Sequence, residues 1–348
     1  MKKKAIIICT TAITTVLVVA LVFILGLKPV SDSKKNVKFT VGAGKSKVQI
    51  IDDLKTANLI KSKLVTMTYV FLNRSIVLQA GNYELNESMS TQDILKKIAK
   101  GDTIESHQDV TLKLIEGKTI KKYAEVIAKE FNLDEDEILD TLSDKEYLQE
   151  LINKYWFITD SILADGIKYP LEGYFFPDTY KIPLKYDIKQ IVGVILDNME
   201  KKLEPYKSLI ENGKYNVHEY LTIASIVEME GIASEDRKSV SQVIYKRLDT
   251  NMPLGMDVTT YYAVDKEMTD VLTANDLRST SPYNTRNVNM TGKLPIGPIT
   301  NSSLESIDAT FNPSNTNYVY FYADVKTKKV FFASTYEEFL KYKAELGG

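Results

Sequence analysis

The stretch IASIVEMEGIASEDR, residues 223–237, sets two carboxyl groups, Glu228 and Glu230, in an apolar run of helical character. A carboxyl is among the few side chains able to give and take a proton at a reacting bond. Two of them can divide the work of acid and base if they face each other. These two cannot, because an ideal helix sets residues two apart about 200° from each other. Glu228 shares a face with Leu221, Ala224 and Ser225, and Ile226, Val227 and Met229 surround it. Desolvation in such surroundings favours the neutral form that a general acid requires. The alternative is a glutamate paired across the fold with a cation such as Arg237 or Arg247, as many helical glutamates are. Glu230 precedes Gly231, a helix stop. It is expected nearer to water, and Glu230→Gln is expected to matter much less than Glu228→Gln.

Helices and loops must position these groups. Residues 188–203, 219–229 and 240–248 show helical spacing of apolar residues. After 248 the chain turns irregular: MPLGMDVTTYYA, SPYNTR and GKLPIGPITNSS form a run rich in Pro, Gly, Asn and Thr. Such loops are usually functional or disordered, and their apolar and aromatic content argues against disorder. Asp257, Tyr261, Asn284 and Thr285 fall within them. Each could position a ligand, while Asn284 reads equally as a turn residue after Pro282 and Asp257 as a loop or cap residue. Upstream, YPLEGYFFPDTYKIP (169–183) holds three prolines, which exclude a regular helix or a central strand. This extended segment could line a groove or wrap a core. YVYFYADV and KVFFAS read as a β-hairpin around Lys326–Lys329, and TYEEFLKYKAEL as a closing helix.

The N-terminus is of another kind. Lys2, Lys3 and Lys4 precede Ala5–Leu27, 23 residues without a charge. As a helix they would cover roughly 34 Å, enough for a hydrocarbon core of about 30 Å. A cleaved signal peptide is the rival reading, but no small-x-small site follows near Val22–Pro29. An uncleaved anchor with residues 1–4 cytoplasmic is expected, with 28–36 as a linker. Cys9, the single cysteine, lies in this span, so the rest of the chain holds no disulfide.

The 348 residues carry a net charge of −2 with both signs interspersed, which excludes a nucleic-acid footprint. His107 and His218 stand alone, so no metal site is expected, and no cofactor motif is present. Two openings resemble each other at an offset of 73 residues, FTVGAGKS (39–46) and LKLIEGKT (112–119). Each reads as strand, turn and helix, with Ser46 or Thr119 near the helix cap. Their Gly-Lys-Ser/Thr triplets lack the upstream glycine of a phosphate loop. Ser90 is expected to cap the helix that ends at Gly101. The acidic run 133–157 reads as helix with a solvated face, closed by Trp156, a core plug or a ligand platform.

Six stretches carry a resemblance: YPLEGYFFPDTY, ASIVEMEGIASEDRKSVSQVIYKRL, MPLGMDVTTYY, SPYNTR, LPIGPITN and YVYFYAD. In this order, across most of 165–335, they resemble the endolytic murein transglycosylases, the MltG or YceG-like family. The resemblance implies an α+β chain: transmembrane helix 5–27, a small LysM-like α/β module at 37–106, and a mixed α+β YceG-like catalytic region at 107–348. That region would comprise a second strand-helix module, 107–160, and a core, 161–348. It implies a membrane-anchored lyase, its catalytic part outside the cell membrane. The enzyme would cleave the MurNAc–GlcNAc bonds of peptidoglycan strands without water and leave 1,6-anhydroMurNAc ends. Glu228 matches the catalytic glutamate, and penicillin-binding proteins or other wall-synthesis proteins are implied partners. The chain departs from the family at Gly255, Val258 and near Phe332, so roles for those positions do not carry over. The alternatives are a peptidoglycan-binding or division scaffold without activity, and a hydrolytic muramidase using Glu228 with Asp257.

Overall fold

The computed structural model describes residues 2–104, 108–231, 233–324, 327 and 329–345, with side chains described from Ile13 onward. His107, Lys326 and the side chain of Cys9 lie outside these residues. The chain divides into two compact units, Met1–Asp109 with Pro183–Lys185, and Val110–Ile182 with Tyr186–Gly348.

In the first unit the apolar N-terminal run is helix α1 (Lys2–Leu27). Among the described residues no helix is long and apolar enough to cross a membrane. Strands β1 (Val37–Val41) and β2 (Gly81–Leu85) pair antiparallel, with Phe39 opposite Tyr83. Between them lie α2 (Lys47–Thr56) and α3 (Lys63–Leu72), and α4 (Thr91–Ala99) follows. The local reasons are plain in the side chains. Ser46, Ser62 and Ser90 each accept a bond from the backbone N–H three residues on, the N-cap interaction that starts α2, α3 and α4. Gly101 takes the left-handed conformation (φ +66°) just past α4. Lys45 of the Gly-Lys-Ser triplet is bound to Asp53 at 2.6 Å, so the triplet builds a turn and a cap. Phe39 and Val41 at period two, and Ile50, Ile51, Leu54, Ile94, Leu95 and Ile98 at helical spacing, fill one core.

The second unit opens near β3 (Asp109–Lys113), followed by α5 (Ile120–Phe131), α6 (Glu135–Ser143) and α7 (Lys145–Lys154). Then come β4 (Thr179–Pro183), α8 (Ile188–Leu203), α9 (Lys207–Glu211), α10 (Val217–Glu230), α11 (Ser234–Asp249), α12 (Asp257–Ala263) and α13 (Ala274–Leu277). The chain ends with α14 (Leu304–Phe311), β5 (Tyr320–Asp324), β6 (Lys329–Ala333) and α15 (Tyr336–Glu345). Thr119 caps α5 as Ser46 caps α2, so the repeated opening has the same local cause. The strand pairings differ. β3 pairs with β4, which lies beyond three helices, whereas β1 meets β2 after two. The acidic run is two helices split at Asp144, whose carboxylate accepts from the Tyr147 N–H and starts α7.

The Pro- and aromatic-rich segment wraps the core: Tyr174, Phe175, Phe176 and Tyr180 are all buried. Trp156 sets its ring edge-on to Phe157 at 5.9 Å, with the Lys207 ammonium 4.9 Å above it. Gly173 is left-handed (φ +83°), and a Cβ there would lie 2.4 Å from the Cβ of Pro298. Two of the sequence stretches meet at that point. Gly173→Ala is therefore expected to lower stability by about 1–3 kcal/mol in urea unfolding, from backbone strain and overpacking together.

Candidate active site

Helices α10, α11 and α14 pack against one another at the centre of the second unit. Asn216 starts α10 with a capping box, and Gly231 ends it, its N–H bound to the Val227 carbonyl. Most of α10 is buried on all sides, so its polar residues must find partners. They find them in the segment 296–303. His218 Nε2 lies 2.9 Å from the Ile296 carbonyl. Ser225 Oγ accepts from the Ile299 N–H at 3.1 Å. Glu228 Oε2 accepts from the Ser303 N–H at 2.9 Å. One face of the helix thus pins a loop at three points. His218 Nε2 must donate to a carbonyl, so Nδ1 accepts from the Tyr174 hydroxyl at 2.8 Å. Burial lowers the histidine's pKa and favours this neutral tautomer.

Glu228 does not sit in an apolar cage. Its Oε2 also accepts from Ser303 Oγ at 2.5 Å and Ser306 Oγ at 2.7 Å. Ser303 is the N-cap of α14, so the carboxyl lies at that helix's N-terminus. The other oxygen, Oε1, is 3.6 Å from Arg237 Nη2, and the glutamate side chain is only 5% exposed. Arg237 further donates through Nε to Ser306 Oγ at 3.1 Å and through Nη1 to Glu305 at 3.1 Å. The cross-fold pairing anticipated for Glu228 therefore exists, and its partner is Arg237. The apolar neighbours in sequence surround the backbone, while the carboxyl reaches past them to the loop. One oxygen is fixed by three donors, and the other faces a guanidinium. Ser303→Ala removes a donor to Oε2 and the cap of α14 together. It is expected to lower turnover about tenfold and stability by about 1 kcal/mol, read from initial rates and thermal melts.

Glu230 differs from expectation. Its carboxyl is desolvated, and burial, with Asp257 nearby, pushes its pKa up to about 7 against the opposing pull of Arg286 and Arg247. Glu230 is half-buried at the end of α10, with Asp257, Arg286 and Arg247 around it. Asp257 starts α12, is about half exposed, and is ion-paired with Arg286 Nε. The Tyr261 hydroxyl donates to the Asp270 carbonyl at 2.8 Å. Asn284 and Thr285 are fully buried. Asn284 Oδ1 accepts from Thr260 Oγ1 at 2.7 Å, and its Nδ2 donates to the carbonyls of Leu277 and Ser279 at 3.0 and 2.8 Å. Thr285 Oγ1 accepts from the Met256 N–H at 2.9 Å and meets Thr259 Oγ1 at 2.8 Å. Both hold loops together from within. Gly255 is left-handed (φ +59°), Val258 is buried, and Phe332 stacks on Tyr318 at 5.4 Å.

Glu172, which no motif or period in the sequence singles out, is the most buried acid of the unit, 1% exposed. Its Oε1 accepts from the Ile120 N–H at 2.9 Å and Asn301 Nδ2 at 3.2 Å, and Oε2 from the Tyr262 hydroxyl at 3.1 Å. Asn301 also joins the Phe175 N–H and the Lys118 carbonyl, two residues before Ser303. Glu172 therefore braces the segment that holds Glu228. Burial outweighs these donors and pushes its pKa up to about 8. Among the described residues no group of three or more His, Cys, Asp or Glu is placed to hold a metal ion.

A carboxyl anchored by one oxygen, with no second carboxylate bonded to it, can serve proton transfer of the single-acid kind. The YceG-like family profile matches residues 39–345, and the chain belongs to that family. A protein of Streptococcus pneumoniae (strain D39) named endolytic murein transglycosylase is 34% identical over 331 residues, 90% of this chain. The chain spans 59% of that relative's length. A protein of the same name from Bacillus subtilis (strain 168) is 33% identical over 320 residues, 91% of this chain and 87% of its own. The crystal structure of a yceG-like protein from Listeria monocytogenes matches with a TM-score of 0.61 at 34% identity, covering 89% of this chain and 100% of that one.

Proposed function

We propose that the chain is a lytic transglycosylase that cuts peptidoglycan glycan strands internally, with Glu228 as its acid and base. The observation that carries this reading is the asymmetric anchoring of Glu228. Oε2 is spent on Ser303 and Ser306, so Oε1 is the atom left to move a proton. In the forward step Oε1 protonates the glycosidic oxygen between MurNAc and GlcNAc as the C1–O bond breaks. The same oxygen, now a carboxylate beside Arg237, takes the proton of the muramic acid C6 hydroxyl. That hydroxyl closes on C1 and leaves a 1,6-anhydroMurNAc end. The acid is restored and no water enters.

Hydrolysis would want a second carboxylate to activate water or attack carbon. Asp257 is bound to Arg286 and interacts with Glu230, which supports the non-hydrolytic reading over a Glu228–Asp257 pair. Asp257 and Tyr261, on the exposed side of the loops, remain the candidates to contact sugar. Relatives named endolytic murein transglycosylase at 33–34% identity support the substrate class and the internal cut. Mass spectrometry of products from purified sacculi tests this. Anhydro ends support the proposal, reducing ends without anhydro sugar would mean a muramidase, and no product would mean a scaffold.

Lys2–Leu27 is read as a membrane anchor, N-terminus inside. Its helical form and the exposed Val16, Leu17, Val19 and Leu21 support this. The strand-helix-helix-strand order of 37–85 supports a LysM-like, glycan-binding module. Penicillin-binding proteins and other wall-synthesis proteins are the proposed partners.

A further inference from the structure

Helix α3 is unusual for a surface helix of a small module. Leu64, Thr68, Phe71 and Leu72 share one face by their spacing, and Leu64, Phe71 and Leu72 are 75, 68 and 68% exposed. Val77 just beyond is 65% exposed. Val70 is buried in the module's core, and Val65 is buried beside Gly26 of α1. The hydroxyls on α3 are already satisfied: Thr66 donates to the Ser62 carbonyl at 2.8 Å and Thr68 to the Leu64 carbonyl at 2.9 Å. The exposed side therefore asks nothing of water.

This face is continuous with α1. A Cβ on Gly26 would lie 2.8 Å from Val65 Cγ2, so the two helices touch closely there. Beside that contact runs a groove of about 570 Å³, lined by Val16, Val19, Phe23 and Ile24 of α1 and by Thr68 and Leu72 of α3. Exposed apolar patches of this kind on a folded module mark an interaction surface. Cations flank the patch. Lys61 precedes it, beside Lys63, which is ion-paired with Asp52, and the Arg74 guanidinium follows, 5.3 Å over the Phe71 ring. Long cationic side chains at both ends of an apolar helix face are the pattern of a helix seated at a lipid surface, with charges among headgroups.

We propose that α3 is a second membrane contact. Its Leu64–Phe71–Leu72 face and Val77 insert among the acyl chains of the outer leaflet beside α1, which ties the first unit to the membrane surface. The proposal rests on α1 being the anchor. The occupant is lipid because the groove continues onto the helix that itself needs lipid, and because the flanking charges are basic.

The test uses the full chain in vesicles of phosphatidylethanolamine and phosphatidylglycerol, some with brominated acyl chains. Trp156 is the single native tryptophan, so unsubstituted protein supplies the background. Phe71→Trp is expected to gain blue-shifted emission that brominated lipid quenches about twofold or more, while Lys47→Trp on α2 gains unquenched emission. Protein that floats with vesicles but shows no quenching of the new Trp overturns the α3 contact and leaves the anchor standing. Protein that does not float overturns the anchor and the α3 contact together. If a second copy of the chain covers the face, the Phe71→Trp protein stays unquenched and a Leu72→Cys variant forms disulfide-linked dimers, which also overturns the proposal.

Discussion

Glu228→Gln is expected to abolish 1,6-anhydro ends, a fall of about 10²–10⁴-fold, with the fold retained. The amide has the shape of the carboxyl. Its carbonyl oxygen can take the place of Oε2 and still accept from the Ser303 N–H and the two serine hydroxyls. The amide nitrogen then occupies the Oε1 position and faces Arg237, donor against donor, at a cost of about 1 kcal/mol. What is lost is the oxygen proposed to carry the proton. The readout is mass spectrometry of muropeptides beside a thermal melt. A variant that melts like the parent and still yields full anhydro product would sink the assignment. Glu228→Ala is a poorer probe, because it strands the donors of Ser303 and Ser306 and leaves Arg237 without one of its two carboxylates.

The second large effect concerns stability. Glu172→Leu leaves the Ile120 N–H, the Asn301 amide and the Tyr262 hydroxyl without their acceptor in a buried site, and is expected to cost about 3–5 kcal/mol. Glu172→Gln keeps one acceptor and should cost far less. The pH dependence separates the two roles of the acid. Its folded pKa is raised from 4.5 to about 8, so the folded state holds a proton that the unfolded chain releases at lower pH. The stabilisation is complete below about pH 4.5 and is lost as pH rises through about 8. Native protein should therefore melt lower at pH 9 than at pH 6, by up to a few kcal/mol of stability. In Glu172→Gln most of that slope should vanish, the residue coming from Glu230, whose pKa is likewise raised, to about 7. An unchanged slope would refute the assignment.

Local features were legible from the chain. The helix over 188–203 follows its apolar period, and Ser46, Ser90 and Thr119 cap helices where their spacing indicated. The final hairpin pairs Tyr320 with Ala333, as its alternating aromatics suggested. What could not be read was whatever folds over these elements. Helix geometry separates Glu228 from Glu230, but it cannot show that Asp257, Arg286 and Arg247 gather around the second glutamate. The donors that hold Glu228 lie 75 and 78 residues further on. Glu172, alone between Leu171 and Gly173, has no period to betray it. A charge inside a segment too apolar for the surface was the one available hint. Asn284 and Thr285 show the converse, since residue types that suit sugar binding suit loop bracing as well.

The three-point seating of 296–303 along α10 makes that loop a ruler. Surface loops usually tolerate added or missing residues, because nothing measures their length. Here Ile296, Ile299 and Ser303 meet His218, Ser225 and Glu228 in matching order, so the spacing on one side must equal the spacing on the other. One residue inserted between Ile299 and Ser303 would carry the serine past the carboxyl while the first two seats stayed filled. Length, beside the serines themselves, is then the property of this loop on which the proposed reaction would depend.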